Sequence, residues 1–210
     1  MKKWSNRRII VDSRDPIFKG GEDAFSKDFE KELASAYPEA AEEVDRKIPD
    51  PLVDEMEITV FVDSDHAHDK VTRRSITGIF IFVGRTPVFY QSKRQGAIET
   101  SSYGAEFCAM RTATEETIAV RYMLRCLGVK VTHPTYMFGD NLGVVQNATM
   151  KDSLLKKKHV AIAYHKVRES AAAGIVHPMK IHTSDNYADL LTKSLNQKTF
   201  CYLVGLISYG

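Results

Sequence analysis

Three strand-like runs precede the first long helical period, and that order restricts the fold more than any other feature of the chain. Glu57-Ile58-Thr59-Val60-Phe61-Val62-Asp63 is β-branched and aromatic and ends in a carboxylate. Ser75 to Val83 is a second run, closed by Gly84-Arg85-Thr86-Pro87, and Val88-Phe89-Tyr90 returns as a third. The spacing then predicts a helix over 102–127, with Thr100, Ser101 and Ser102 as N-cap candidates and a stop before Gly128. Beyond it lie a strand at 135–138, a short helix at 141–147 and a helix at 153–173 stopped by Gly174. A strand over 175–181 follows, and a last helix begins at 187–195. The order β-β-β-α-β-α-α-β-α, a hairpin meander followed by strand–helix alternation, predicts an α/β protein with a mixed sheet and helices on its faces.

Charge divides the chain. Residues 1–57 carry 10 Lys and Arg against 15 Asp and Glu, whereas 58–210 carry 19 against 12. The basic surplus of the second part suits a partner rich in phosphate, although an ordinary basic surface has the same composition. In the first part Phe25, Phe29, Leu33 and Ala36 or Tyr37 share one stripe of a helix expected over 23–45, which Pro38 breaks. Pro49 and Pro51 form a stiff linker. The expected organisation is an acidic N-terminal arm, 1–56, and one domain, 57–210. At 210 residues the chain is long enough to bury a core without staples. Cys108, Cys126 and Cys201 are odd in number and widely spaced, which argues against a disulfide framework or a four-thiolate zinc site and for a reducing compartment. The longest strongly apolar run, Ile79 to Val83, is far below the ~20 residues of a membrane span. Ile9-Ile10-Val11 is too short for a signal-peptide core.

Most acidic residues of the second part fall where solvated surface is expected. Asp63, Glu106, Asp140 and Asp189 do not. Asp63 ends an apolar strand, and Glu106 lies in the first turn of the long helix among Ala105, Phe107 and Cys108. Asp140 follows Tyr136-Met137-Phe138, and Asp189 opens the last helix between Ala188 and Leu190. Each alone suits a cap or a surface position. Four at element ends that can converge suit a metal centre, because clustered carboxylates repel one another and divalent cations remove that cost. Two magnesium ions would balance the four charges and clamp both oxygens of a phosphodiester displacement.

Seven blocks occur in register: Val62-Asp63-Ser64-Asp65-His66-Ala67; Thr72-Arg73-Arg74-Ser75-Ile76-Thr77-Gly78; Ser92-Lys93-Arg94-Gln95; Glu99-Thr100-Ser101-Ser102 with Ala105-Glu106-Phe107; Gly139-Asp140-Asn141; Lys158-His159 with Tyr164 to Glu169; and Ala188-Asp189-Leu190-Leu191-Thr192-Lys193. Over about 57–205 the chain resembles the ribonuclease H domain of copia-type retrotransposon polyproteins. The acidic, proline-bearing lead-in resembles the connection from the polymerase in such a polyprotein. The resemblance implies a ribonuclease H-like fold: a five-stranded mixed sheet, three antiparallel strands then parallel additions, with helices on both faces. It implies an endonuclease that hydrolyses the RNA strand of RNA–DNA hybrids with two Mg2+ ions (Mn2+ as substitute), giving 3′-hydroxyl and 5′-phosphate ends. By motif, Asp63, Glu106, Asp140 and Asp189 are its catalytic metal ligands. It also implies a reverse transcriptase domain as partner, and a cytoplasmic location, with a virus-like particle or the nucleus as alternatives.

Rival residues remain at this stage. Asp65 shares the face of Asp63 by strand alternation. Asp185 competes with Asp189, and His182 precedes the last acid at a distance that suits an assisting histidine or a plain surface residue. Ser92, Lys93, Arg94, Gln95, Thr100, Ser101, Ser102 and Asn141 are candidate contacts to the backbone and sugar of a hybrid, with turn and capping roles as the alternative. Lys156-Lys157-Lys158-His159 suits salt-sensitive phosphate binding or a solvated charge run. His66-Ala67-His68-Asp69 resembles a dinuclear zinc-hydrolase loop, but Lys70 stands where its last histidine belongs. A degenerate or domesticated domain that binds nucleic acid without cutting is the non-enzymatic alternative. The chain carries neither the Tyr/Phe-x-Asp-Asp of a polymerase nor the His-His-Cys-Cys arm of an integrase.

Overall fold

The computed structural model describes residues 29–153, 155 and 158–209. Its strands are β1 (Ile58–Asp65), β2 (Ile76–Val83), β3 (Thr86–Arg94), β4 (Thr135–Gly139) and β5 (Val176–Lys180). Its helices are α1 (Phe29–Ala34), α2 (Ser102–Cys126), α3 (Leu142–Thr149), α4 (Ala161–Ala172), α5 (Asp189–Thr192) and α6 (Gln197–Tyr209). The strands form one sheet in the order β3-β2-β1-β4-β5. The β1–β2 and β2–β3 pairs are antiparallel, whereas β1–β4 and β4–β5 are parallel. This is the mixed sheet that the meander and the alternation require.

Apolar residues fill both faces of β1 because both faces are covered. Val60 and Val62 point into a core shared with Phe107, Ala109 and Met110 of α2 and with Val144 and Val167 of α3 and α4. Phe61, between them in sequence, joins Phe82, Phe138, Tyr187 and Leu203 on the opposite face. Its ring centroid lies 4.4 Å from that of Tyr187 and 5.3 Å from that of Phe138. Helices α5 and α6 close this second, smaller core. Gly78 admits α5: a Cβ there would lie 2.6 Å from Thr192 Cγ2 and 2.8 Å from the Ala188 carbonyl oxygen. Gly128, in the left-handed region at φ +77°, turns the chain at the end of α2 as its position in the sequence predicts.

The described part of the acidic stretch, 29–56, packs on the domain. Leu33 is fully buried in the α2-side core. The Tyr37 hydroxyl lies 2.8 Å from His165 Nδ1, and Arg168 Nε donates to that hydroxyl at 3.2 Å. Arg121 and Arg125 both grip the Glu42 carboxylate. Glu55 accepts from the backbone N–H groups of Thr132 and His133. Among the described residues, Leu33, Tyr37, Glu42 and Glu55 thus each contact the part of the chain beyond residue 57.

Three expected elements differ. Of the helix expected over 23–45, the described part is one short segment, α1, after which the chain turns at 35–37, just before Pro38; residues 23–28 lie outside the described residues. The helix expected from 153 begins as a 3₁₀ turn at Lys158–Val160 and becomes α-helical at Ala161. The Ser153 carbonyl accepts from the Tyr164 hydroxyl at 2.7 Å instead of opening a helical ladder, and just upstream the carbonyls of Asn147, Met150 and Lys151 accept from the Arg168 guanidinium. The last expected helix is two: α5 is a single turn, and α6 restarts at 197 with the Asn196 side chain accepting from Thr199 N–H at 2.9 Å. All three cysteines are free, and no helix among the described residues is long and apolar enough to cross a membrane.

Candidate active site

Strand register brings the first two acids together. β1 and β4 run parallel with Phe61 opposite Phe138. Two residues on, Asp63 and Asp140 lie level at one end of the sheet, Asp140 just past β4 and Asp63 still inside β1, which runs to Asp65 instead of ending at Asp63 as the sequence suggests. Glu106 comes to this end on α2, whose N-terminus is fixed by Ser101, with the Ser101 hydroxyl accepting from Gly104 N–H at 3.2 Å. Asp63, Glu106 and Asp140 each offer a carboxylate oxygen, and these atoms all lie within 4.8 Å of one another. Asp63 and Glu106 are buried and Asp140 is half-buried.

Asp189 joins through a cation. Lys193 Nζ lies 2.8 Å from Asp189 Oδ1 and 3.2 Å from Asp63 Oδ1, so one ammonium ties the two carboxylates. Thr192 donates its hydroxyl to the other oxygen of Asp63. The α5 turn is itself fastened to β1: Asn186 Nδ2 donates to the Val62 carbonyl at 3.0 Å, and its Oδ1 accepts from Ala188 N–H.

Burial and mutual repulsion dominate the electrostatics. Burial first, and the charges of Asp63 and Asp140 next, push Glu106 up to about 9. Burial raises Asp63 as well, against the pull of Thr192 and Lys193. Asp189 rises to about 6, mainly by burial, although Lys193 opposes the shift. Burial would lower Lys193, but Asp189 and Asp63 hold its ammonium above the ordinary lysine range. A hard divalent cation fits this donor set. The ligand atoms are all carboxylate oxygens at mutual distances that one ion can span, and they favour Mg2+ or Mn2+ over thiolate- and imidazole-seeking metals.

The other expected residues divide. The Ser92 hydroxyl donates to the Leu191 carbonyl at 2.6 Å, and Gln95 Nε2 donates to Thr77 Oγ1 and the Ala105 carbonyl. Ser101 caps α2, Ser102 is its first residue, and Asn141 caps α3 through Val144 N–H at 3.2 Å. Arg94 reaches Asp69 at 3.3 Å. Lys93 and Thr100 are exposed beside them. Asp65 turns to His68, 2.6 Å away. Asp185 faces Ser184 and Tyr202. His182 is exposed, its Nδ1 accepting from Ser184 N–H. The zinc-loop histidines are spent separately, His66 on the Glu99 carbonyl and His68 on Asp65. Lys156 and Lys157 lie outside the described residues. Sequence reasoning gave Lys193, Thr192 and Asn186 no role. The available signal was helical spacing, since Lys193 falls four residues after Asp189 on the same face.

The sheet order and the helices on its two faces make the fold ribonuclease H-like. Among solved structures the chain matches the N-terminal ribonuclease H domain of a Mycobacterium tuberculosis protein, fused to maltose-binding protein, with a TM-score of 0.50 and 11% identity. That match covers 71% of this chain and 97% of the other. A ribonuclease H1 isolated from compost by a metagenomic approach gives a TM-score of 0.50 at 18% identity over 65% of this chain and 92% of its own. No protein-family model matches the chain. In sequence it is 29% identical over 145 residues, 69% of its length, to the retrovirus-related Pol polyprotein from transposon RE1 of Arabidopsis thaliana. It is 29% identical over 141 residues to the corresponding polyprotein from transposon TNT 1-94 of Nicotiana tabacum. The chain spans about a tenth of the length of these relatives. Its fold is thus ribonuclease H-like, and in sequence it is similar to a part of retrovirus-related Pol polyproteins of transposons.

Proposed function

We propose that this domain is a metal-dependent endonuclease that hydrolyses the RNA strand of RNA–DNA hybrids, working beside a reverse transcriptase domain of a retrotransposon polyprotein. The observation that carries the reading is the meeting of Asp63, Glu106 and Asp140 within 4.8 Å, with Asp189 tied to Asp63 by Lys193, at one end of a ribonuclease H-like sheet. These four acids would hold Mg2+ or Mn2+. When bound, a pair of such ions supplies an activated water and charge neutralisation at the departing 3′ oxygen.

The residues of the chain do the rest. Asp63 and Asp140 are placed by strand register, so their positions are as stiff as the sheet. Burial and the charges of Asp63 and Asp140 favour the protonated form of Glu106, so positive charge arriving in the pocket would favour its release of the proton and its entry into the ligand set. Thr192 and Lys193 orient Asp63 and hold Asp189 close in the meantime. With the metal activating water, no side-chain nucleophile is required.

Incubation of the purified chain with an end-labelled RNA–DNA hybrid and Mg2+ tests this. Cleavage confined to the RNA strand, abolished by EDTA and weak on all-DNA duplex, is the expected result. Hybrid binding without cleavage would favour the non-catalytic binding domain, and equal cutting of DNA duplex would indicate a general nuclease.

A further inference from the structure

The loop between β1 and β2 leaves the sheet two residues after Asp63 and is far more ordered than a surface connection requires. Asp69 is its hub. The carboxylate accepts from Val71 N–H at 2.9 Å, Thr72 N–H at 3.1 Å, the Thr72 hydroxyl at 2.6 Å and Arg94 Nη1 at 3.3 Å. Its backbone N–H donates to the Arg74 carbonyl, and its carbonyl accepts from Arg73 N–H at 2.7 Å. Ala67 N–H donates to Ser75 Oγ at 3.1 Å, and the His66 ring bonds the Glu99 carbonyl at 2.9 Å. Two non-glycine residues, Ala67 at φ 54° and Arg73 at φ 57°, sit in the left-handed region, so the surroundings impose a shape that the local sequence disfavours.

That shape displays cations. Lys70 and Arg73 are exposed, and Val71 between them is 91% exposed. Among the described residues Lys70, Arg73, Arg74 and Lys93 form no ion pair. Asp65, Ile76 and Arg94 occupy one row across three strands, and Asp63, Gly78 and Ser92 occupy the row two residues before it, on the same face of the sheet. The bond from Asp69 to Arg94 therefore joins the loop to the end of β3, about two strand spacings or ~10 Å across from the acid pocket. That distance is about three nucleotides along a duplex. Four carboxylates repel a polyanion, and a cationic edge at this distance offsets the repulsion.

We propose that residues 66–75 and the end of β3 form a rigid rim that grips the phosphodiester backbone of the bound nucleic acid. Lys70 and Arg73 make the contacts, and Asp69 is the positioning residue. The rim rests on the nuclease reading and adds to it a specific, sequence-independent backbone subsite.

Fluorescence anisotropy of a labelled hybrid with the full chain in EDTA, over a range of salt, tests the rim. Arg73→Gly removes the cation and eases the left-handed backbone, so thermal stability is kept or raised. Affinity should nonetheless fall roughly three- to tenfold near 0.1 M salt, with the log–log salt slope shallower by about 0.9. Lys70→Ala should act likewise. Asp69→Ala should also weaken binding, although loss of an acid beside a polyanion would tighten it on charge alone, and it should leave the Mg2+-induced rise in Tm unchanged. Unaltered affinity and slope in Arg73→Gly and Lys70→Ala, or tighter binding by Asp69→Ala, would overturn the rim. Wild-type protein that neither binds hybrid nor responds to Mg2+ would overturn the nuclease reading itself.

Discussion

Glutamates near the two ends of α2 meet opposite fates. Glu42, held against the C-terminal end, would be raised by its burial, but the guanidinium groups of Arg121 and Arg125 bring it to about 2. Glu106, near the N-terminal end, is pushed to about 9 by burial and by two neighbouring carboxylates. The chain answers the first charge with its own cations and leaves the second in deficit, with Lys193 the one cation paired to the four acids among the described residues. A satisfied buried carboxylate fastens the fold, whereas a group of unsatisfied ones is a place prepared for charge from outside.

The largest effect should come from removing one member of the deficient group. Asp140→Asn keeps the size of the side chain and relieves repulsion in the pocket, so the protein should fold normally. It should lose more than about a hundredfold in hybrid cleavage, because a metal ligand is gone. Retained cleavage in a gel assay would break the contrast by showing that Asp140 is not part of the pocket's work.

Glu42→Gln tests the other end. It leaves the buried Arg121 and the half-buried Arg125 without their acid and should cost up to about 3 kcal/mol, or on the order of 10 °C in Tm for a chain of this size. Because the folded-state pKa is depressed, the stabilisation by Glu42 is present above its ordinary value of 4.5 and is lost as pH falls towards 2. The variant should therefore lack part of the wild-type acid transition in a thermal melt series. An unchanged melt would demote the pair of arginines to surface contacts.

Gly78→Ala probes the hinge between fold and pocket. The added methyl group meets Thr192 and the Ala188 backbone, so α5 must shift at a cost of roughly 1–3 kcal/mol. Asp189 moves with it. The concentration of Mg2+ needed to raise Tm should increase, and an unshifted Mg2+ midpoint would show that Asp189 is not needed for metal retention.

Legibility followed contact range. The pairing of Asp63 with Asp140 follows from parallel register, because Phe61 opposite Phe138 sets the two acids level two residues on, although β1 continues to Asp65. The caps at Ser101 and Asn141 are equally local. Resemblance, more than pattern, singled out Asp189, since a one-turn helix has no period to read. Glu42 was opaque because its partners lie 79 and 83 residues away in sequence. The false start of α4 at 153 has the same origin, since the Tyr164 hydroxyl, 11 residues on, claims the Ser153 carbonyl that would open the ladder. Helix α6 differs, since Leu203, Leu206 and Ile207 form a helical apolar stripe that is local in the sequence and packs into the second core.

The smallest expected effect separates the two glutamates most directly. In the metal-free protein Glu106 is raised, so the folded state keeps a proton that the unfolded chain has released above 4.5. Stability must then decline as pH rises from 4.5 towards 9, opposite in sign to the Glu42 limb. Glu106→Gln has no proton to keep; in EDTA it should flatten that decline and melt slightly above wild type at pH 8. With saturating Mg2+ the order should reverse, because binding to the folded state stabilises the wild type more than a variant that has lost a ligand. If Glu106→Gln melts below wild type in EDTA at pH 8, the carboxylate already has a satisfactory partner within the chain. The distinction between the two ends of α2 would then collapse.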